Sequence, residues 1–238
     1  MAGAAFRVKG MAGTGRISLT AALAVIVAAG LAGCSGSEGA TESTTSSPAA
    51  QTFDLSKLSR LEDEMPAGFI PYPSQVEKLQ HVLVAGVGSV VSYGKPFTVD
   101  QPECAVLLNP VRGEAGADSI GVRADGEDRR MIVVKADMPV TVPEKIPSTG
   151  CDRMTYNVPD DDHPYSGTAE RIEAPPIDGA QTYALKVTID GYPDPEYYYA
   201  AILGDRLFIN VNARLAPDYP AQPVLPDLLV KAVTAIRG

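Results

Sequence analysis

The chain contains no tryptophan, two histidines and three cysteines in 238 residues. His81 sits in an otherwise apolar stretch and His163 in an acidic one, so no Ser-His-Asp arrangement assembles from them. Basic side chains are also short: 20 Lys and Arg stand against 29 Asp and Glu, for a net charge of −9. Phosphate binding needs clustered Lys and Arg, which excludes nucleic acid as a partner. There is no fixed-period internal repeat and no second long apolar run besides the one near the N-terminus.

That run, residues 17–31, follows Arg7, Lys9 and Arg16 with no acid among them. It is shorter than the roughly 20 residues of a spanning helix, and it ends in Leu31-Ala32-Gly33-Cys34. A charged start, an apolar middle and small residues at the end are the parts of a secretory signal peptide, and the ending is similar to the lipobox of bacterial lipoproteins. Residues 1–33 are therefore expected to be removed, with acyl chains such as palmitate on Cys34 and residues 34–51 as a tether. The protein is then exported and lipid-anchored on the extracytoplasmic side of the cell membrane. Losing the three basic residues of the leader takes the net charge from −9 to −12. Such a chain repels anionic headgroups, so lipid must do the anchoring, at about 0.8 kcal/mol per buried methylene.

With Cys34 acylated, Cys104 and Cys151 remain as an even pair in an oxidising compartment and are expected to form a disulfide. The bridge closes a loop of 48 residues, 104 to 151 inclusive. Chain entropy values such a closure at about 4 kcal/mol.

Residues 35–51 hold no large apolar side chain and cannot offset the entropy of ordering. Residues 52–238 have recurring apolar positions and the size of one domain. Leu55, Leu58 and Leu61 predict a short helix after Asp54, and residues 75–84 a second. Residues 102–108 predict a third, begun by Pro102 and carrying Cys104. Residues 119–123 and 131–136 flank an Asp-Gly connection and should pair. Tyr183, Leu185, Val187 and Ile189 alternate with smaller or polar residues as a strand does. The clearest hairpin joins residues 197–203 to 206–214 through Gly204-Asp205, with Leu207, Ile209, Val211 and Ala213 on one face. A last helix is expected over residues 225–236. The fold class is α+β: a single-domain antiparallel sheet with helices packed on one face and the other face partly open.

Three local patterns carry no chemistry. The strand-turn at Gly86-Val87-Gly88 has Val91 where a dinucleotide site needs its third glycine. Ser92-Tyr93-Gly94-Lys95 has the Ser-x-x-Lys spacing of penicillin-binding enzymes, but Gly94 and Pro96 oppose the helix it needs. Asp160-Asp161-Asp162-His163 lacks the glycine turn and terminal bidentate acid of a calcium loop and reads as a solvated loop, so no metal site is assigned. The best binding candidates are Tyr197, Tyr198, Tyr199 and Phe208, which put rings on both faces of the late hairpin.

Taken with the lipobox and the Ser/Thr-rich tether, the contexts Pro102-Glu103-Cys104 and Gly150-Cys151-Asp152 resemble an uncharacterised family of mycobacterial lipoproteins. That family is in turn similar to the PknH-like extracellular sensor domains of mycobacterial serine/threonine kinases. The resemblance implies an α+β domain braced by disulfides around a cleft for an unknown ligand. It implies two disulfides where this chain can make one, and it supplies no catalytic residue and no cofactor. The expectation is a non-enzymatic, sensor-like module that binds an apolar small molecule. An envelope scaffold with a protein partner is the alternative, and a hydrolase with an unrecognised site comes third.

Overall fold

The computed structural model describes residues 52–160 and 162–238; the leader, Cys34 and the rest of the tether lie outside the described residues. Ten strands form one antiparallel sheet: β1 (Ile70–Pro71), β2 (Glu77–Lys78), β3 (Thr98–Val99), β4 (Arg112–Asp125), β5 (Met131–Thr141), β6 (Arg153–Val158), β7 (Tyr165–Ile172), β8 (Ala180–Ile189), β9 (Glu196–Leu203) and β10 (Leu207–Arg214). Strands β6 to β10 run as a meander, and β10 returns to pair with β5 of the β4–β5 hairpin. The tight turn between β9 and β10 has Gly204 at φ 53° and Asp205 at φ 52°, the two positive values of a type I′ turn, closed by the Arg206 amide donating to the Leu203 carbonyl at 3.2 Å.

One face is covered by helices, as the sequence predicts. Leu207, Ile209, Val211 and Ala213 of β10 are buried with Ile132, Val134 and Ala136 of β5. Over them lies α1 (Ala221–Arg237), whose buried Leu225, Leu228, Leu229, Ala232, Val233 and Ile236 follow a helical stripe. Beside α1, Leu55–Glu64 is a 3-10 helix, started by Asp54 accepting a hydrogen bond from the Ser56 amide. At three residues per turn, Leu55, Leu58 and Leu61 stack on one line and all are buried. Each such leucine contributes about 1.5–3 kcal/mol relative to an exposed one.

The second face is covered too, contrary to the expectation that it stays partly open. Met154 and Tyr156 of β6, Tyr183 and Leu185 of β8, Tyr198 and Ile202 of β9, and Phe208 of β10 form a second core. Its cover is irregular chain from residues 79–111, anchored by Leu79, Val87, Val90, Val91, Leu107 and Leu108. Two 3-10 turns, His81–Gly86 and Pro102–Leu107, satisfy part of this backbone locally. The disulfide Cys104–Cys151, with a Cα–Cα distance of 5.7 Å, ties the cover to the chain entering β6.

The helix expected over residues 75–84 does not form. Glu77 and Lys78 pair with Ser119 and Asp118 as β2, and His81, Val82 and Leu83 are exposed rather than core. The apolar residues of this stretch bury only Leu79, so no helical stripe has a surface to pack on.

Candidate functional site, a cleft at one end of the sheet

The strand order carries the ends of β4, β6, β8 and β10 and the starts of β5, β7 and β9 to one end of the sheet. The β4–β5, β6–β7 and β8–β9 connections converge there around a cleft of about 910 Å³. Tyr93 reaches it from the second-face cover, Tyr165 from β7 and Tyr192 from the β8–β9 connection. Around these rings stand six carboxylates, among them Asp128, Asp160, Asp190 and Glu196, against two guanidinium groups, Arg129 and Arg214. A smaller groove of about 490 Å³ between β2 and β4 has no aromatic ring in its wall.

Local structure explains why Tyr93 stands at the cleft. Residues 92–95 turn back on themselves, with the Lys95 amide donating to the Ser92 carbonyl at 3.0 Å. The Ser89 and Ser92 hydroxyls lie 3.0 Å apart, and the Gly94 amide donates to Ser89 Oγ at 3.0 Å. Gly94 has φ 85°, and a Cβ there would stand 2.6 Å from the Ala85 carbonyl. The turn is fixed to the cleft wall twice. Tyr165 donates its hydroxyl to the Val91 carbonyl at 2.7 Å, and Lys95 pairs with Asp160. Lys95 holds the Asp160 carboxyl below its ordinary value. Ser92 is buried, and no helix brings Lys95 to it, so the Ser-x-x-Lys spacing is a turn.

The floor is a cross-strand pair. Glu196 and Arg214 stand opposite each other on β9 and β10, and Arg214 donates from Nε at 3.1 Å and Nη2 at 2.6 Å to Glu196 Oε1. These bonds raise the Arg214 guanidinium above its ordinary value. Beside them Ser166 Oγ donates to Asp190 Oδ2 at 2.5 Å. Burial, followed by the charges of Tyr93, Asp160 and Glu196, pushes the Tyr165 phenol up.

Backbone strain concentrates here. Of the four described non-glycine residues at positive φ, Tyr93 (52°), Asp128 (54°) and Arg129 (63°) all line the cleft. Each such conformation costs about 1–3 kcal/mol unless its surroundings hold it, and such residues gather at ligand sites.

The binding candidates chosen from sequence lie elsewhere. Tyr198 and Phe208 are 3 % and 0 % exposed in the second core, and Tyr199 is fully buried in the first, its hydroxyl accepting from Gln222 Nε2 at 2.7 Å. Tyr197 is half-buried against the first core. The face these rings were to line open is closed, which makes them core. Asp160, Asp162 and His163, read as a solvated loop, form the cleft rim, while Asp161 lies outside the described residues. Among the described residues no three His, Cys, Asp or Glu side chains are grouped to hold a metal ion. The cleft residues 93, 128, 160, 192 and 214 share no spacing in sequence; the signals available were the acidic run ending in His163 and Tyr192 ahead of Pro193 and Pro195.

Fold and cleft together define a class: a single-domain α+β protein with two cores, one disulfide and a tyrosine-walled, acidic cleft at one sheet end. Residues 54–237 match the family described as Domain of unknown function (DUF5642), and the chain belongs to that family. The X-ray structure of an uncharacterised Mycobacterium smegmatis protein, an Rv0999 ortholog, is similar over 78 % of this chain and 98 % of that one, at 21 % identity and a TM-score of 0.57. The shared feature is the fold. The extracellular domain of PknH from Mycobacterium tuberculosis aligns over 78 % of this chain and 93 % of that one, at 13 % identity and a TM-score of 0.37, too low to carry an argument. No curated protein matches the chain significantly. Among the described residues no helix is long and apolar enough to cross a membrane.

Proposed function

We propose that this protein is an exported lipoprotein, held to the membrane through Cys34, whose domain is a non-enzymatic, sensor-like module that binds a small amphipathic molecule in the end cleft. The observation that carries the binding reading is the convergence of three tyrosine rings and strained backbone on a cleft of about 910 Å³. Small-molecule sites are concave, with apolar walls and a few placed polar groups, and span about 300–1,000 Å³. Export is supported by the leader and by the Cys104–Cys151 bridge, since disulfides persist in oxidising compartments.

Native mass spectrometry of protein purified from its own host tests the binding reading. A reproducible small molecule is expected on the wild type and absent from Tyr93→Ala; its absence from both would remove the reading. Palmitate labelling tests the anchor: label is expected on the wild type and lost in Cys34→Ala. A protein-partner role is favoured by the exposure of Ile70 (75 %) and Val82 (80 %). One reproducible crosslinked partner that is lost on Val82→Asp would support it.

A further inference from the structure

Taking the cleft as the binding site, as above, we infer that its ligand is an organic cation: an amine, guanidine or quaternary ammonium group carried on an apolar body. The cleft selects for charge and for π-faces at once. Glu196 is 9 % exposed and lines the cleft. Both of its bonds from Arg214 fall on Oε1, and among the described residues Oε2 accepts none. That oxygen keeps contact with the solvent of the cleft, where a donor or positive charge that enters can meet it in a charge-assisted bond. Asp190 and Asp194 stand on the β8–β9 connection at the same floor, and among the described residues neither makes an ion pair.

The rings favour the same occupant. Tyr93 is 75 % and Tyr192 70 % exposed, an unusual cost for two aromatic side chains facing one space. A cation over the face of a tyrosine is attracted by the ring quadrupole, more so when partly desolvated. The positive groups in the lining do not compete. Arg214 is occupied by Glu196, and Arg129 lies exposed on the rim. An anion would meet an excess of carboxylates at every depth. A bare divalent ion would find no group of three acids close enough to share it among the described residues.

The probes are phenethylammonium, the uncharged phenethyl alcohol and the anion phenylacetate, each titrated into the lipid-free chain from residue 35 onward. Calorimetry and tyrosine fluorescence serve as readouts, the latter undisturbed because tryptophan is absent. Phenethylammonium is expected to bind at least about tenfold tighter than the alcohol, and phenylacetate not at all. Added salt should weaken the ammonium and leave the alcohol unchanged. Glu196→Gln should remove the preference. Asp194→Asn, which leaves the buried Glu196–Arg214 pair intact, should reduce it about threefold to tenfold. Equal affinity for ammonium and alcohol, or preference for phenylacetate, would overturn the cation assignment. If Tyr93→Ala still weakens whichever probe binds, the cleft remains a binding site with another specificity. If no probe binds and no molecule co-purifies, both readings fall.

Discussion

The two faces of the sheet are each closed over an apolar core, by different means. The first is closed by α1 and the Leu55–Glu64 3-10 helix, and its fully buried strand side chains are aliphatic apart from Tyr199. The second is closed by irregular chain, carries the disulfide, and buries polar groups. Asp137 is 0 % exposed and Asn210 8 %, and both share the face of Phe208, Asp137 standing opposite it on β5. A regular cover supports itself through its own backbone bonds. An irregular one needs covalent and polar ties, and in return it can place a turn such as residues 92–95 at the sheet end. The face that is harder to close is the one that builds the cleft wall.

The largest test of this contrast is charge. Lys135 Nζ lies 3.1 Å from Asp137 Oδ1. Lys135→Met leaves a fully buried carboxylate without its cation and should cost about 3–5 kcal/mol in urea unfolding. The double change Lys135→Met with Asp137→Leu should recover most of that loss. A double variant as unstable as the single would mean that packing, not charge, is what the second face requires there. On the first face, Leu229→Ala should cost about 2–5 kcal/mol by lost transfer and cavity alone, with no charge partner able to restore it.

Next in size is the bridge. Replacing Cys104 and Cys151 together by serine should lower stability by about 2–4 kcal/mol. The loss should be uneven: hydrogen exchange should accelerate through residues 79–111 while α1 keeps its protection. Uniform acceleration would show that the two covers unfold as one unit.

The same contrast sets what the sequence can disclose. Leu225, Leu228, Leu229, Ala232, Val233 and Ile236 announce α1, and Gly204-Asp205 between alternating runs announces β9–β10, because each element carries its own period. The class and the disulfide follow from such local signals. The second cover has no period: Leu79, Val87, Val90 and Leu107 are spaced by the path of the chain over the sheet, so the closed face was not legible. β6 offered Met154, Tyr156 and Val158 in alternation, a signal short enough to pass unread, and β7 is too polar for one. The cleft was least legible. Its residues come from four connections and the ends of four strands, brought together only by strand order, while the tyrosine run 197–199 looked like a site and is core.

Gly94 couples cover and cleft. With φ 85° and the Ala85 carbonyl 2.6 Å from any added Cβ, Gly94→Ala must displace the turn that presents Tyr93, at a cost of about 1–3 kcal/mol. Probe binding in the cleft should fall by more than that stability loss explains at temperatures where the variant is folded. A variant that loses stability but binds normally would detach the second-face cover from the site.

The smallest effect is in acid, and at the cleft end it acts through a single pair. Lys95 holds the Asp160 carboxyl below the ordinary carboxylate value of about 3.9. The folded state therefore binds that proton less readily than the unfolded chain does. Its stabilisation is fully present above the ordinary value and is lost as pH falls through the lowered one. Because Lys95 is half-exposed and water screens the pair from that side, global stability should barely register it. The local turn should: NMR signals of the Tyr93 ring should shift in this acid range, and Asp160→Asn should show the acid-form shifts already at neutral pH. Tyr199, whose hydroxyl accepts from Gln222 rather than standing on a carboxylate, should stay unchanged over the same range. Equal movement at both places would mean that the two covers share one acid transition and that the irregular face has no independent hold on its turn.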